Sequence, residues 1–221
     1  MTDEELESLI GAMHTKLNEI YQLDPQWKKR GEWKQGDRGS LVYPPAAEKD
    51  IRSCAKQLGK EFPPSYVRFL RLHNGWKHFW MDFILIGTSG EHTETALKDI
   101  QQTEAWQRAD LEKRFGKLSA SAIKNWESRH PKNLYLENHL VFGTDCAGSV
   151  FVFDGRGKPA KTGPVIRHWS IANGASNDEF YEESYLGSAA APDVEHMLLG
   201  VSREVDKYLG RLKKSSARKK K

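Results

Sequence analysis

The sequence predicts an α+β domain: N-terminal helices, then a mainly antiparallel sheet with a helical insertion, and a closing C-terminal helix. Three observations predict it. Apolar residues recur at helical spacing near both ends, first as Leu6, Leu9, Ile10, Met13, Leu17 and Ile20, later as Val194, Met197, Leu198, Val201, Val205 and Tyr208. The runs FWMDFILIG (79–87), LVFG (140–143), SVFVFD (149–154) and PVIRHW (164–169) are rich in β-branched and aromatic residues and read as strands. The gaps between the last three are too short for parallel crossovers, so those strands pair antiparallel.

The first helix runs over about 3–21. Thr2 caps it with Glu5 at the third position, a capping box, and Asp3, Glu4 and Glu5 suit the positive end of the dipole. Residues 22–48 carry Asp24-Pro25, isolated glycines and Pro44-Pro45, and read as an irregular connector. A second helix over 46–58 places Ile51, Cys54, Ala55 and Leu58 on one face and ends at Gly59. Pro63-Pro64-Ser65 opens a third, with Tyr66, Phe69 and Leu70 as its apolar stripe and Asn74-Gly75 as its exit. From 93 to 130 the pattern is helical and polar, with Leu97, Ile100, Leu111, Phe115, Ile123 and Trp126 as landmarks, until His130-Pro131 breaks it. Asp154-Gly155-Arg156-Gly157 reads as a hairpin turn, and Pro192-Asp193 opens the final helix.

Composition narrows the function classes. With 221 residues and 38% hydrophobic content the chain suits one embellished domain, or at most two small ones. Two cysteines, Cys54 and Cys146, supply no disulfide framework. No run approaches the ~18 apolar residues of a membrane span. The acidic opening MTDEELESLI lacks the basic start and apolar stretch of a secretory signal, so a cytoplasmic location is expected. The net charge of +4 is concentrated at one end: 211–221 hold seven cations and no acid, which leaves 27 basic against 30 acidic side chains, a net of −3, in the rest. The organisation expected is an N-terminal helix and connector over 1–42, a domain over 43–210, and a disordered basic tail over 211–221.

One segment points beyond fold class. YPPAAEKDIRSCAKQLGKEFPPSYVRFLRLHNGW (43–76) resembles the signature of the SUKH superfamily, the bacterial relatives of the fungal Smi/Knr cell-wall regulators, through Pro44, Pro45, Ile51, Leu58, Gly59, Pro63, Tyr66, Phe69, Leu70, Asn74, Gly75 and Trp76. The strand-turn-strand pattern of GTDCAGSVFVFDGRGKPAKTGPVIRHW resembles the family's sheet. Two positions depart from it: Ala55 stands where the family often has Glu, and Phe62 where it has Leu. The resemblance implies an α+β domain with an open sheet face that binds other proteins. It also implies a function as an immunity protein that neutralises a cognate bacterial toxin domain by binding it, with no catalysis. A Smi/Knr-type regulatory scaffold is the alternative within the family.

The chemistry-bearing residues read mostly as structural. Cys146 beside Asp145, with His139 and His168 as available imidazoles, is the nearest approach to a nucleophilic arrangement, and a small residue at a tight turn accounts for it better. The eight His are scattered, without HExxH or CxxC, so no metal site is expected, and no cofactor either. No glycine loop leads from a strand into a helix as a phosphate cradle requires. The basic tail over 211–221 suits weak, salt-sensitive, sequence-blind nucleic-acid contact, and a nucleic-acid-associated protein acting through it is the alternative from a different class. Partner binding has the best support. Asp178, Glu179, Tyr181, Glu182, Glu183 and Tyr185 interleave acids with aromatics in a way that fits a cationic protein groove. Asp82, Asp145, Trp76 and Trp80 are the other expected contributors to that surface.

Overall fold

The computed structural model describes residues 1–24, 41–80, 83–129, 134–155, 165–170 and 191–218. In chain order the elements are α1 (Asp3–Leu23), β1 (Leu41–Val42), α2 (Glu48–Leu58), α3 (Pro64–Leu72), β2 (Trp76–Lys77), β3 (Ile84–Leu85), α4 (Glu91–Phe115), α5 (Ala120–Arg129), a 3₁₀ turn (Leu136–Asn138), β4 (Leu140–Thr144), β5 (Ser149–Asp154), β6 (Val165–Ser170) and α6 (Val194–Arg218). The six strands form one antiparallel meander in sequence order. The predicted α+β class is the observed one.

Local signals act as read. Thr2 Oγ1 accepts from the Glu5 amide at 3.2 Å while Glu5 Oε2 accepts from the Thr2 amide at 2.7 Å, the reciprocal capping box. Gly59 ends α2 at φ 62°, the left-handed region in which glycine is unstrained. The run 79–87 is the main departure. Of its described residues only Ile84–Leu85 is strand; the Phe79 amide donates to the Phe83 carbonyl and the Phe83 amide to the Trp80 carbonyl, bonds that take Phe79 and Phe83 out of the ladder. Leu41–Val42, read as connector, and Trp76–Lys77, just past the Asn74-Gly75 exit and assigned no element, are the strands that pair beside it.

Antiparallel register sorts the sheet residues, since directly opposed residues share a face. Trp76, Leu85, Gly143, Phe151 and Ile166 follow one face, together with Phe153. The register shifts between Val141 and Gly143, and the extra residue of this bulge, Phe142, brings its ring to 4.4 Å from that of Phe153. Tyr66 of α3 sits over both, 5.2 Å from Phe142 and 5.8 Å from Phe153, and its hydroxyl donates to the Ile86 carbonyl at 2.5 Å. The opposite face carries Ile84, Val141, Thr144, Val150 and Val152.

That second face corrects the expectation of an open sheet. Every residue of β4 is buried, as is β5 from Val150 to Asp154. The insertion is what lies across β3 and β4: α4 packs against both, and Thr144 Oγ1 donates to Asp99 Oδ2 of α4 at 2.5 Å. The helical block therefore closes a sheet face that the family resemblance left free.

The ends of the chain pack as a pair. Leu6, Ile10, Met13, Leu17 and Ile20 of α1 share one core with Val194, Met197, Leu198, Val201 and Val205 of α6. The helices run in the same direction, because Arg68 joins Asp3 to Glu195 (2.5 and 2.7 Å), Lys16 meets Asp206 (2.6 Å) and Glu19 meets Lys213 (2.7 Å). The tail expected to be disordered is helical as far as Arg218. Cations near a helix C-terminus complement its dipole, and the Glu19–Lys213 pair ties this turn to α1. Met13→Ala should lower unfolding free energy by about 2–4 kcal/mol in urea titration, the cost of an emptied core site, even though this helix precedes the sheet domain.

Candidate partner-binding surface

The signature residues are placed first, because a functional role would show in their geometry. Asn74-Gly75 follows α3 and meets Gly87 at the end of β3. A side chain at Gly75 (φ 93°) would sit 2.8 Å from the Gly87 amide, from His92 Nε2 and from the Leu85 carbonyl, and one at Gly87 would sit 2.6 Å from Asn74 Oδ1. Only glycine admits this approach. Around it, Asn74 Oδ1 accepts from the Thr88 amide at 2.6 Å, Thr93 Oγ1 accepts from the Gly87 amide at 2.9 Å, and the Asn74 amide donates to the Pro44 carbonyl at 3.0 Å. His92 closes the node with its ring stacked on Tyr43, centroids 3.7 Å apart and planes 7° from parallel. The proline pair, the Asn-Gly turn and the start of the insertion thus converge on one structural joint.

The expected binding residues divide into three groups. Trp76 and Trp80 are core: Trp76 is fully buried with its ring 5.2 Å from Phe79, and Trp80 packs edge-on against Tyr208 at 6.1 Å. Neither lies on a docking surface, because β2 joins the sheet and directs Trp76 into the core. Asp145 is half-buried and shapes a turn, its Oδ1 accepting from the Ala147 and Ser149 amides, each at 2.8 Å. Asp82, Asp178, Glu179, Tyr181, Glu182, Glu183 and Tyr185 lie outside the described residues.

The cysteine and histidine arrangement separates. Cys146 is exposed in the β4–β5 turn at φ 54°, beyond the C-terminal end of β4, whereas His139 is buried just before its N-terminal end. A five-residue strand, about 16 Å long, stands between them. The side chain of His168 lies outside the described residues. His139 Nε2 is committed to Glu127 Oε1 at 2.9 Å. Cys54 is buried on α2, and desolvation pushes its thiol pKa up, away from the reactive thiolate.

That Glu127–His139 contact belongs to a clamp that fixes the insertion. Glu127 Oε1 also accepts from the Tyr135 amide at 2.8 Å. Gln107 bridges from α4, donating to the Leu134 carbonyl at 2.6 Å and accepting from the Leu136 amide at 2.8 Å. Arg108 pairs with Glu137, and Lys60 of the α2–α3 loop donates to the Glu137 carbonyl. Buried polar groups satisfied in this way rigidify what they join. On the outside of this rigid block, Trp106 is 47% exposed and Phe115 61%. Sequence periodicity counts Phe115 among the apolar landmarks of the insertion and does not single out Trp106. The separating signal is angular. Trp106 lies about 100° around the helix from the centre of the buried stripe Ile100, Thr103, Gln107 and Leu111, and Phe115 is the last residue before the Gly116 exit.

Two predictions follow from the joint. Gly87→Ala should cost at least ~2 kcal/mol in chemical denaturation, because the methyl group meets the Asn74 side chain and backbone. The second concerns pH. Burial pushes the His92 and His73 imidazoles below their ordinary value, opposed by hydrogen bonds with backbone at Asn74 and Tyr43 respectively. The unfolded chain then binds more protons just below about pH 6.5, so stability is full above that pH and falls as pH drops toward the lowered folded values. Melting temperature should decline between pH 6.5 and 5, and His92→Gln should flatten that decline; a flat parental profile would contradict the assignment.

No curated protein matches the chain. A family model, the SMI1 / KNR4 family (SUKH-1), matches residues 45–199, which span α2 through the start of α6 and include Asn74, Gly75, Gly87, His92 and Thr93 of the joint. A match of that extent, over a fold of the same class, makes the chain a member of the SMI1/KNR4 (SUKH-1) family.

Proposed function

We propose that this protein is an immunity protein that binds a cognate bacterial toxin domain in the cytoplasm and neutralises it by occlusion, contributing no chemistry of its own. Membership of the family supports the class of function. The observation that carries the reading for this chain is the exposure of Trp106 and Phe115 on a helix held immobile by the Gln107 and Glu127–His139 clamp. Large aromatic side chains on a rigid support lose little entropy on docking and are the commonest energetic anchors of protein interfaces. The acidic–aromatic segment around Asp178, Glu179, Tyr181, Glu182, Glu183 and Tyr185, with Asp82, is proposed as the part that steers a cationic partner toward that anchor. Asp145, already committed to its turn, is left with a structural role.

The test is co-expression with a toxic C-terminal domain, which this reading expects to find encoded beside the gene. The parent should restore growth and co-purify with that domain. Trp106→Ala combined with Phe115→Ala should weaken the complex by about 2 kcal/mol or more while leaving the melting temperature close to the parent's, since both side chains are exposed. Rescue without a complex, or a double variant that binds as tightly as the parent, would contradict the reading.

A further inference from the structure

We propose that the outward face of α6 binds the phosphate backbone of nucleic acid without reading its sequence, an activity beyond toxin neutralisation. Arg203, Lys207, Arg211 and Lys214 are spaced by four, four and three residues, which brings them within an arc of about 80° on one side of the helix. All four are exposed. The buried stripe through Val194, Val201, Val205 and Leu209 lies on the opposite side. Among the described residues Arg203 and Lys214 have no carboxylate partner; Lys207 contacts Glu204 at 2.7 Å, and Arg211 stands 5.5 Å from the Tyr208 ring centroid. The row extends about 16 Å, a length of duplex axis over which each strand carries roughly five phosphate charges, one per ~3.4 Å of axis. Later in the sequence come Arg218, Lys219, Lys220 and Lys221 and no acid, on a chain whose first 210 residues are net −3.

The surroundings favour a polyanion over the other partners that a basic helix attracts. A membrane-surface helix needs a free apolar face, and here Val201, Val205 and Leu209 are spent in the core beside α1. A tight protein interface needs a buried aromatic or aliphatic anchor, and between Arg203 and Lys214 the outward face offers none. A straight row of exposed cations on a helix fixed at its N-terminal end by Arg68 fits a regular array of phosphates.

Fluorescence anisotropy of a labelled 20-base-pair duplex with the full chain tests this. Saturable binding is expected at 50 mM salt and should weaken steeply toward 200 mM. Replacing Arg203, Lys207, Arg211 and Lys214 together by Gln should reduce affinity at least tenfold and flatten the salt slope by about 1 per cation removed. A control carrying Lys113→Gln, Lys117→Gln and Lys124→Gln on the insertion should bind like the parent. If the fourfold variant melts early, Arg203→Gln and Lys214→Gln singly, neither of which breaks an ion pair among the described residues, should each still lower the slope by about 1. The proposal is overturned by no binding at 50 mM salt, by unchanged binding of the variants, or by tighter binding to polyglutamate or to phosphatidylserine vesicles than to the duplex.

Discussion

The fold turns on a contact with no side chain in it: the backbone of Gly75 lies against the backbone of Gly87, and the Pro44 and Asn74-Gly75 parts of the signature meet there. Pro44 supplies a carbonyl to Asn74, Asn74 caps the strand exit at Thr88, and Thr93 and His92 carry the joint into the first turn of the insertion. Three parts of the chain that are far apart in sequence become one rigid corner. The sequence motif that most clearly marks the family therefore marks a folding constraint, and such a motif leaves function to be decided elsewhere on the surface.

The insertion is where this chain differs from the plain expectation for its family. A sheet with one free face is replaced by a sheet covered on both, at least across β4 and β5, with Asp99 and Thr144 joined across the new layer. In the proposed function, closing that face moves recognition outward, to what the covering helices present. The same layer exposes Trp106 and Phe115 and spends its buried polar residues on anchorage. The clamp and the exposed aromatics are two halves of one arrangement, since an anchor residue holds its partner only as firmly as its own support is held.

Much of this was legible in the sequence. The capping box at Thr2, the proline start of α3, the strands at 140–154 and the closing helix rest on short-range rules that tertiary context did not override. What failed had a common cause in long-range packing. The aromatic run at 79–87 satisfies every strand criterion, yet Phe79 and Trp80 turn into the core and leave pairing to Ile84 and Leu85. Trp76 looks like interface material and is core, because its strand is fixed by partners at Val42 and Leu85. The tail's charge density argues for disorder when read alone; a contact with Glu19, nearly two hundred residues earlier, helps keep it helical. The face occupied by Trp106 could be read only after the buried side of α4 was known.

Native-state hydrogen exchange tests the central claim most directly. If the Gly75–Gly87 joint holds the fold together, the Gly87 and Thr88 amides, which donate to Thr93 and Asn74, should exchange only through global unfolding, with the same free energy and denaturant dependence as the central amides of β4 and β5. Exchange of these two amides through a local opening, while the sheet stays protected, would show that the joint is an ornament of the fold and not its constraint.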